Sequence, residues 1–432
     1  IPDNSSWTNT QEAIYTFHLP EGGVVTSLSL WIEGREEKGI LTTKSKADTA
    51  YKTIVGVERR DPSVVHWQEG NTVTVRVFPV VKGESRKFKL GVTAPLSFGK
   101  NKLTYENIYF DGPSFAGATS DIDISSKESL QDVVMPAGFT GDKNHILKSN
   151  GKYSPAWSVS FNAPGLHNDV FSFSNYSYDI IPSREETVSF DPSAIFLDIN
   201  SAWSANECEK IYQLVKDKKI FVSDGQEDFT ELNSSNRNYL FDQLTSHNFS
   251  LFPFYKITNS DQALIISKSG PVSPSIDDLR GSSFLTDLHN YFNNTKAVKL
   301  FNLDDTLSPY LKSLKEFRML EYDQGDEQRL QELLSEKIFV KRIESDNEVN
   351  IYDAGIVLRR TQDTATGNAP DHLMRLFAYN HILQQSGSAI LADTLNEEPL
   401  INEAERAYVV SPFSSLVVLE TQKDYDRFNI TA

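Results

Sequence analysis

Residues 193–223 read SAIFLDINSAWSANECEKIYQLVKDKKIFVS, and this stretch decides the fold class. Its first run, SAIFLDIN, is short, apolar and bounded by polar residues, which is typical of a buried strand. Ser204 is followed three residues later by Glu207, a capping-box pattern that predicts a helix from 204 to 217. A second apolar run, KIFVS, follows the helix. The stretch therefore predicts a strand, a helix and a strand in succession.

The same alternation continues beyond this stretch. Helices are predicted near 234–247, 277–292 and 326–336, and apolar runs such as ALIIS and AVKLF separate them. A further strand is predicted for FPFYKI at 252–257. Apolar strands interleaved with amphipathic helices indicate a doubly wound α/β sheet with helices on both faces.

The N-terminal part of the chain has a different pattern of apolar and polar residues. From 15 to 96, short alternating runs are separated by turn residues, and in TVTVRVF at 72–78 the odd and even positions separate cleanly, as a strand with one buried face requires. Residues 45–59 break this pattern with apolar side chains three and four apart, which predicts a short helix that stops at Gly56. Residues 97–190 continue as strands and turns, so the whole N-terminal part is predicted to be β-rich.

The chain returns to strands after the α/β stretch. Residues 337–361 are predicted to form a long hairpin, a helix is predicted over 371–385, and SSLVVLE at 414–420 is a last strand. Residues 182–192, PSREETVSFDP, have the composition of a linker. The C-terminal region is therefore predicted to mix strands with a helix.

Composition limits the classes of function. The chain has 432 residues, 39% of them hydrophobic, which is enough for a substantial core and roughly two to four domains. Acidic residues outnumber basic ones by 59 to 42, and the resulting formal charge of −17 repels nucleic acid and anionic lipid. No run of about 18 apolar residues occurs, so we expect any membrane anchor to lie outside these residues.

Common catalytic motifs do not occur in the sequence. It contains no G-x-S-x-G elbow, phosphate-binding P-loop or G-x-G-x-x-G fingerprint. The single cysteine, Cys208, excludes a disulfide framework and any zinc site with two thiolates, and its position on the apolar face of a helix predicts a buried side chain. The eight histidines lack zinc-site spacing, so we expect them at the surface and at element boundaries.

One family resemblance lies near the N-terminus. Its features are a strand ending in LWIEG, a strand KGILTTK, a helix with Ala47 and Tyr51 in an A-x-x-x-Y pattern, and a strand pair that closes at Pro95. On these features residues 24–96 resemble the VIT domain of inter-alpha-trypsin inhibitor heavy chains and many bacterial proteins. The run RRDPSVVHW, followed by GNTVTVRVFPV, is similar to the subtype found in bacterial exosortase-associated membrane proteins.

A second resemblance lies near the C-terminus. FAYNHI at 377–382 and AYVVSPFSSLVVLE at 407–420 are similar to the segment that closes proteins in which a VIT domain is joined to a von Willebrand A domain. Because the two signatures bracket the α/β region in the expected order, they imply that this region is a von Willebrand A-like, Rossmann-like module. We also expect the last strand to return and pair with earlier strands, which would tie both ends of the chain together.

This resemblance also implies a cation site. A functional von Willebrand A domain holds a divalent cation through D-x-S-x-S at the end of its first strand, with a Thr and an Asp from later loops. The matching residues here are Asp198, Asn200 and Ala202, while Lys268 and Ser269 stand at the later T-D-G position. Asp198, Asn200 and Ser269 can offer the oxygen ligands that Mg²⁺ prefers. Ala202 has no ligand atom, and Lys268 adds a repelling charge. We therefore interpret the site as a degenerate, vestigial metal-ion-dependent adhesion site and expect no cofactor.

The resulting expectation is an α+β multi-domain, non-enzymatic protein-interaction scaffold. It is expected to be extracytoplasmic, in the periplasm or at the cell surface, to belong to a membrane-anchored parent protein linked to an exosortase surface-sorting system, and to bind proteins of the cell envelope rather than nucleic acid. Two alternatives stay open: an enzyme that processes or modifies sorted envelope proteins, and a metal-dependent adhesion module. The predicted domains are a β-sandwich-like VIT domain at 1–115, a β-rich connecting region at 116–190, a von Willebrand A-like domain at 191–336, and a β/α region that packs back on the preceding modules at 337–432.

Overall fold

The fold is described from a computed structural model and is mixed α+β. The residues that the structure describes are 10–58, 60–111, 117–167, 169–225, 228–270, 272–295, 298–304, 306–342, 345–363, 367–392 and 395–431.

The strands are numbered along the chain. They are β1 (Thr10–His18), β2 (Val24–Ile32), β3 (Arg35–Lys38), β4 (Ile40–Thr43), β5 (Ser63–Gln68), β6 (Thr72–Val81), β7 (Phe88–Thr93), β8 (Ser97–Gly99), β9 (Lys102–Glu106), β10 (Tyr109–Asp111), β11 (Thr119–Ser125), β12 (Thr140–Gly141), β13 (His145–Lys152), β14 (Ser158–Asn162), β15 (Phe171–Phe173), β16 (Tyr176–Pro182), β17 (Glu186–Ser189), β18 (Ala194–Asp198), β19 (Lys219–Val222), β20 (Thr230–Leu232), β21 (Ala263–Ser267), β22 (Val298–Asn302), β23 (Leu320–Gln324), β24 (Ile338–Lys341), β25 (Glu348–Ile351), β26 (Ile356–Thr361) and β27 (Ser414–Val418).

The α-helices are numbered in the same way. They are α1 (Lys44–Thr53), α2 (Ala205–Val215), α3 (Arg237–Leu244), α4 (Ser283–Asn294), α5 (Pro309–Glu316), α6 (Glu327–Glu336), α7 (His372–Ser386), α8 (Glu398–Ala407) and α9 (Gln422–Arg427). Within the described residues, none of these helices has both the length and the apolar character needed to cross a membrane.

The chain folds into two compact units. Unit 1 comprises Ile1–Ser183, Glu344–Ile382 and Asn396–Ala432, and unit 2 comprises Arg184–Ile343 and Leu383–Leu395. Each unit is therefore built from segments that are distant in sequence. The finer division into four domains stays a prediction.

The largest sheet of unit 1 contains the last strand of the chain. Its six strands follow the order β10-β1-β6-β5-β27-β4. β27 runs antiparallel to both neighbours, so that Leu416 lies opposite Leu41 of β4 and Val65 of β5. All three side chains are buried. The prediction that the last strand returns to pair with earlier strands is confirmed.

The helix predicted over 45–59 is shorter in the structure. Thr43 caps α1 by accepting a hydrogen bond from the backbone N–H of Lys46, and the α-helix ends at Thr53. Ile54 to Glu58 then form a single π turn that contains Gly56. The predicted stop at Gly56 was therefore wrong, because the wider turn begins before the glycine.

Among its described residues, unit 1 also contains four smaller sheets. Their strand orders are β3-β2-β7, β14-β9-β8, β11-β13-β12 and β15-β16-β26-β25. The long hairpin predicted over 337–361 is wrong in its first half. β25 and β26 do form an antiparallel hairpin, but β24 pairs with β17 in unit 2. In this pairing Phe339 is completely buried in the core of unit 2.

Unit 2 contains a six-stranded sheet that is mainly parallel. Its order is β20-β19-β18-β21-β22-β23, which is 3-2-1-4-5-6 in order of appearance along the chain. Every neighbouring pair is parallel except β19 and β20. The capping box predicted at Ser204 and Glu207 is confirmed, and α2 begins directly after Ser204. Buried side chains of α2, α3 and α6 pack with those of the sheet in one apolar core.

Two predicted elements of unit 2 differ from the structure. Residues 252–257 form no regular strand, because Pro253 has no backbone N–H for a ladder and a single 3₁₀ turn, Phe254–Lys256, follows it. The helix predicted over 277–292 is interrupted. A 3₁₀ turn ends at Leu279, Gly281 adopts a left-handed conformation, and Ser282 then caps α4.

Candidate functional site

The predicted site lies at the carboxyl edge of the sheet in unit 2. Asp198 is the last residue of β18, and Ser267, the last residue of β21, lies beside it in register. The strand order reverses here, because β19 lies on one side of β18 and β21 on the other. In open α/β sheets, ligands bind in the crevice at such a point. The sequence therefore placed the candidate site at a position where the topology favours binding.

The carboxylate of Asp198 is buried and held by two hydroxyl groups. Ser267 Oγ donates to Oδ2 at 2.9 Å, and Ser250 Oγ lies 3.1 Å from both carboxylate oxygens. Burial raises the pKa of Asp198 to about 6, although the hydrogen bonds from Ser267 and Ser250 oppose this effect. The carboxylate of Asp198 is therefore engaged by hydroxyl groups of the protein itself.

Asn200 holds the loop that follows β18. Its side chain is fully buried, and Nδ2 donates to the carbonyl oxygens of Lys268, at 2.8 Å, and Asp198, at 3.3 Å. Its Oδ1 accepts a hydrogen bond from the backbone N–H of Ala202 at 2.9 Å. All of these bonds are internal. Asn200 therefore connects two loops of the carboxyl edge.

Ser269 and Lys268 point to other partners. Ser269 Oγ donates to the carbonyl oxygen of Thr306 at 2.5 Å. Lys268 Nζ lies 2.7 Å from Glu207 Oε1, so that an acid neutralises the charge that was expected to repel a cation. Burial raises the pKa of Glu207, but the hydrogen bonds from Lys268 and Ser204 outweigh this and hold it at about 2. Of the three predicted site residues, only Asp198 and Asn200 are therefore joined by a direct hydrogen bond.

These residues do not fit a divalent cation as they are arranged. A hard cation needs several oxygen atoms that converge on one point. Here Asn200 Oδ1 is taken by a backbone N–H and Ser269 Oγ by a carbonyl oxygen. No group of three or more His, Cys, Asp or Glu side chains that could hold a metal ion occurs in the described part of the chain. The vestigial character of the site stays a prediction, which a titration can test.

The carboxyl edge is tightly packed. Trp203 Nε1 donates to the carbonyl oxygen of Asp198 at 2.9 Å. Gly270 is buried, and a Cβ atom at this position would lie 2.8 Å from Ser250 Cβ and 3.2 Å from Asn200 Cγ. A larger residue than glycine would therefore force these loops apart. The sequence analysis did not identify Ser250 as a site residue, because Ser250 lies in the loop after α3 and belongs to no recognisable motif.

A cavity of about 320 Å³ lies at the same edge. Ile211 and Leu303 form its apolar part, and Glu207, Asp326, Glu327 and Gln328 complete the lining. Asp326 caps α6 by accepting from the backbone N–H of Arg329. Glu327 lies 3.0 Å from Lys210 Nζ, so this acid is already paired. The described lining residues do not include a histidine.

The expectation for the histidines is wrong at two positions. His66 and His381 are buried, and each lies beside a carboxylate. Asp48 Oδ1 is 3.0 Å from His66 Nε2, and Glu403 Oε2 is 2.8 Å from His381 Nδ1. His66 Nδ1 also lies 2.7 Å from Ser415 Oγ, which forms an aspartate–histidine–serine chain. Ser415 is completely buried inside β27, however. The chain of hydrogen bonds therefore ties β27 to β5 and α1.

Cys208 is buried, as predicted. It lies on the face of α2 that packs against the sheet. Burial raises the pKa of its thiol to about 12, and the nearby charge of Glu207 contributes to the increase. The thiol is therefore neutral at physiological pH and unsuited to act as a nucleophile.

The N-terminal region matches a known domain family. Residues 3–92 match the family model of the vault protein inter-alpha-trypsin (VIT) domain. A VIT domain is therefore present at these residues, which lie in unit 1 and contribute β1 to β6 and most of β7. A search of curated proteins found no match to the chain.

Proposed function

We propose that this chain is a non-enzymatic protein-interaction scaffold of the bacterial cell envelope, in which a VIT domain is joined to a von Willebrand A-like unit. It acts with an exosortase surface-sorting system and recognises other envelope proteins. The proposal includes an extracytoplasmic location and a membrane anchor carried by parts of the parent protein outside these residues.

Two features support the von Willebrand A-like part of the proposal. The strand order 3-2-1-4-5-6 of unit 2 is a common order of doubly wound α/β folds. The VIT domain at residues 3–92 precedes this unit in the chain, in the order that the resemblance implies. The RRDPSVVHW run within the VIT domain supports the exosortase-associated subtype.

The observation that carries the proposal is the closed environment of Asp198 at the carboxyl edge of unit 2. The buried carboxylate of Asp198 accepts hydrogen bonds from Ser250 and Ser267, and it is not open to a ligand. The acids of the nearby cavity are engaged in the same way by a lysine or a helix end. An arrangement of this kind favours recognition through surface contacts over acid–base chemistry or cation-mediated adhesion.

Crosslinking in the native bacterium tests the scaffold directly. A photoreactive amino acid at exposed positions, Val57 in unit 1 and Tyr239 in unit 2, is expected to yield discrete adducts with envelope proteins because both side chains are more than two-thirds exposed. The same amino acid at an exposed position of an unrelated envelope protein gives the background. The proposal is wrong if exposed positions of both units give only this background.

Titration calorimetry tests the adhesion alternative. Because the oxygens at Asp198 and Asn200 are engaged by the protein itself, we expect no saturable heat with Mg²⁺, Mn²⁺ or Ca²⁺ up to about 5 mM, beyond the usual range of extracellular calcium modules. The Asp198→Ala variant is expected to give the same flat titration. Saturable heat that disappears in the variant would instead establish a working cation site.

A further inference from the structure

Two neighbouring apolar side chains are exposed at the carboxyl edge of unit 2. Phe249 is 56% exposed and Val272 is 53% exposed, and the two residues form an isolated parallel bridge. Contiguous apolar surface on a soluble protein marks a contact site more often than scattered single residues do. This pair, Phe249 and Val272, is the apolar patch.

Hydrogen bonds connect the two segments that carry the apolar patch. The backbone N–H of Ser250 donates to the carbonyl oxygen of Val272 at 2.9 Å, and that of Val272 donates to the carbonyl oxygen of Asn248 at 3.2 Å. The Ser250 hydroxyl donates to the carboxylate of Asp198 at the end of β18. These bonds hold Phe249 and Val272 next to each other at the carboxyl edge.

The carboxyl edge that carries the apolar patch is acidic on balance. Its described acids lie in loops that follow the parallel strands or in the first turns of helices, and they are Glu207, Asp224, Asp228, Asp277, Asp278, Asp304, Asp326 and Glu327. The described basic residues at the same places are Lys268, Arg280, Lys312 and Arg329, and Lys210 of α2 pairs with Glu327. Eight acids against five basic residues leave this edge negative, so a partner with positive charge is attracted and an acidic one is repelled.

The cavity at the same edge suits a long basic side chain. Its apolar part, Ile211 and Leu303, can pack against methylene groups, and the acids Asp326 and Glu327 lie in its wall. Lysine and arginine bury an aliphatic stem while the charged end stays near acids or water. A volume of about 320 Å³ is ample for one such side chain.

We propose that the carboxyl edge of unit 2 is a docking surface for a basic, partly apolar segment of a partner protein. An apolar residue of this segment packs on Phe249 and Val272, and a lysine or arginine enters the cavity, where it shares the carboxylate of Glu327 with Lys210. The inference rests on the proposed scaffold function and adds the surface and the chemistry of the partner. The surface works without a cation.

The test uses two short labelled peptides. One carries lysine, arginine and leucine, and the other carries glutamate in place of every basic residue. Fluorescence anisotropy with the full chain is expected to show saturable binding of the basic peptide alone. Hydrogen exchange with this peptide bound is expected to show protection at 245–250 and at the described residues around 272.

Matched variants separate docking from general attraction. Glu327→Lys and Gln328→Lys are each expected to weaken binding of the basic peptide about tenfold or more, and Phe249→Ser severalfold. Asp217→Lys introduces the same charge change as Glu327→Lys between α2 and β19, at the opposite edge, and Tyr239→Ser removes an exposed aromatic from α3. Both controls are expected to keep nearly full affinity.

Equal binding of the two peptides, or equal losses in the edge and control variants, would overturn the docking surface. The scaffold itself is judged separately by the crosslinking experiment in the native bacterium. Adducts from other exposed positions combined with failure of the peptide test would leave the scaffold standing and remove only this surface. Failure of both experiments would remove both proposals.

Discussion

The Leu416→Pro variant is expected to lose the folded state of unit 1. Leu416 is fully buried in β27, between β4 and β5. Proline removes a backbone donor from a central strand and fixes its φ angle, and loss of the leucine side chain adds a cavity. The combined cost is about 5 kcal/mol or more, comparable to the whole stability of a typical domain. Urea denaturation followed by circular dichroism measures the loss.

Gln422→Pro is the matched control, because it places the same residue in the same C-terminal segment. Gln422 is exposed and is the first residue of α9, where proline is well tolerated, and the preceding Thr421 already has an extended backbone. We expect a change in the free energy of unfolding within about 0.5 kcal/mol. Leu416→Pro with a denaturation midpoint equal to that of Gln422→Pro would contradict the central role of β27.

The Asp198→Asn variant is expected to gain stability relative to the wild type as pH rises. The pKa of Asp198 is raised from 3.8 to about 6, chiefly by burial. Well below pH 3.8 the carboxyl is protonated in both the folded and the unfolded chain, and the wild type keeps its full stability. As pH rises from 3.8 to about 6, the unfolded chain ionises while the buried carboxyl stays protonated, and the wild type loses about 3 kcal/mol that the neutral amide of the variant does not lose. Urea denaturation at pH 4 and pH 7.5 measures the difference.

Asp191→Asn is the control with the opposite sign. Hydrogen bonds from Lys218 and Lys337 hold the pKa of Asp191 at about 2. Its contribution to stability is therefore present above about pH 4 and is lost as pH falls toward 2. A stability difference between wild type and Asp198→Asn that stays constant from pH 4 to 7.5 would show that this carboxyl is not perturbed by burial.

Local sequence patterns predicted most of the elements of unit 2. The capping box at Ser204 and Glu207 marked the start of α2 correctly, because its two hydrogen bonds form within one helical turn. The pairing of β24 with β17 was not predictable in this way. β24 could pair with β25 or with β17, and the burial of Phe339 in the core of unit 2 accompanies the pairing with β17. That core forms only when the whole unit folds, so a local pattern does not reveal it.

The candidate site was predictable only in part. Asp198 and Asn200 follow an apolar strand, so their position at the carboxyl edge follows from the pattern. Ser250, which holds the carboxylate of Asp198, comes from a loop that carries no spacing signal. The burial of His66 was missed for a similar reason, since its partner Asp48 lies on a helix and Ser415 lies near the other end of the chain.

The central place of β27 has a consequence for the order in which the protein becomes native. More than 300 residues separate this strand from β4 and β5, between which it lies. Ribosomes add about 5–20 residues per second, so the slot between those strands stays empty for tens of seconds during synthesis. Throughout that interval two strand edges are open to pairing with other chains. Unit 1 therefore closes only after β27 has been synthesised, and a chaperone that shields its open edges would act on β4 and β5 until β27 arrives.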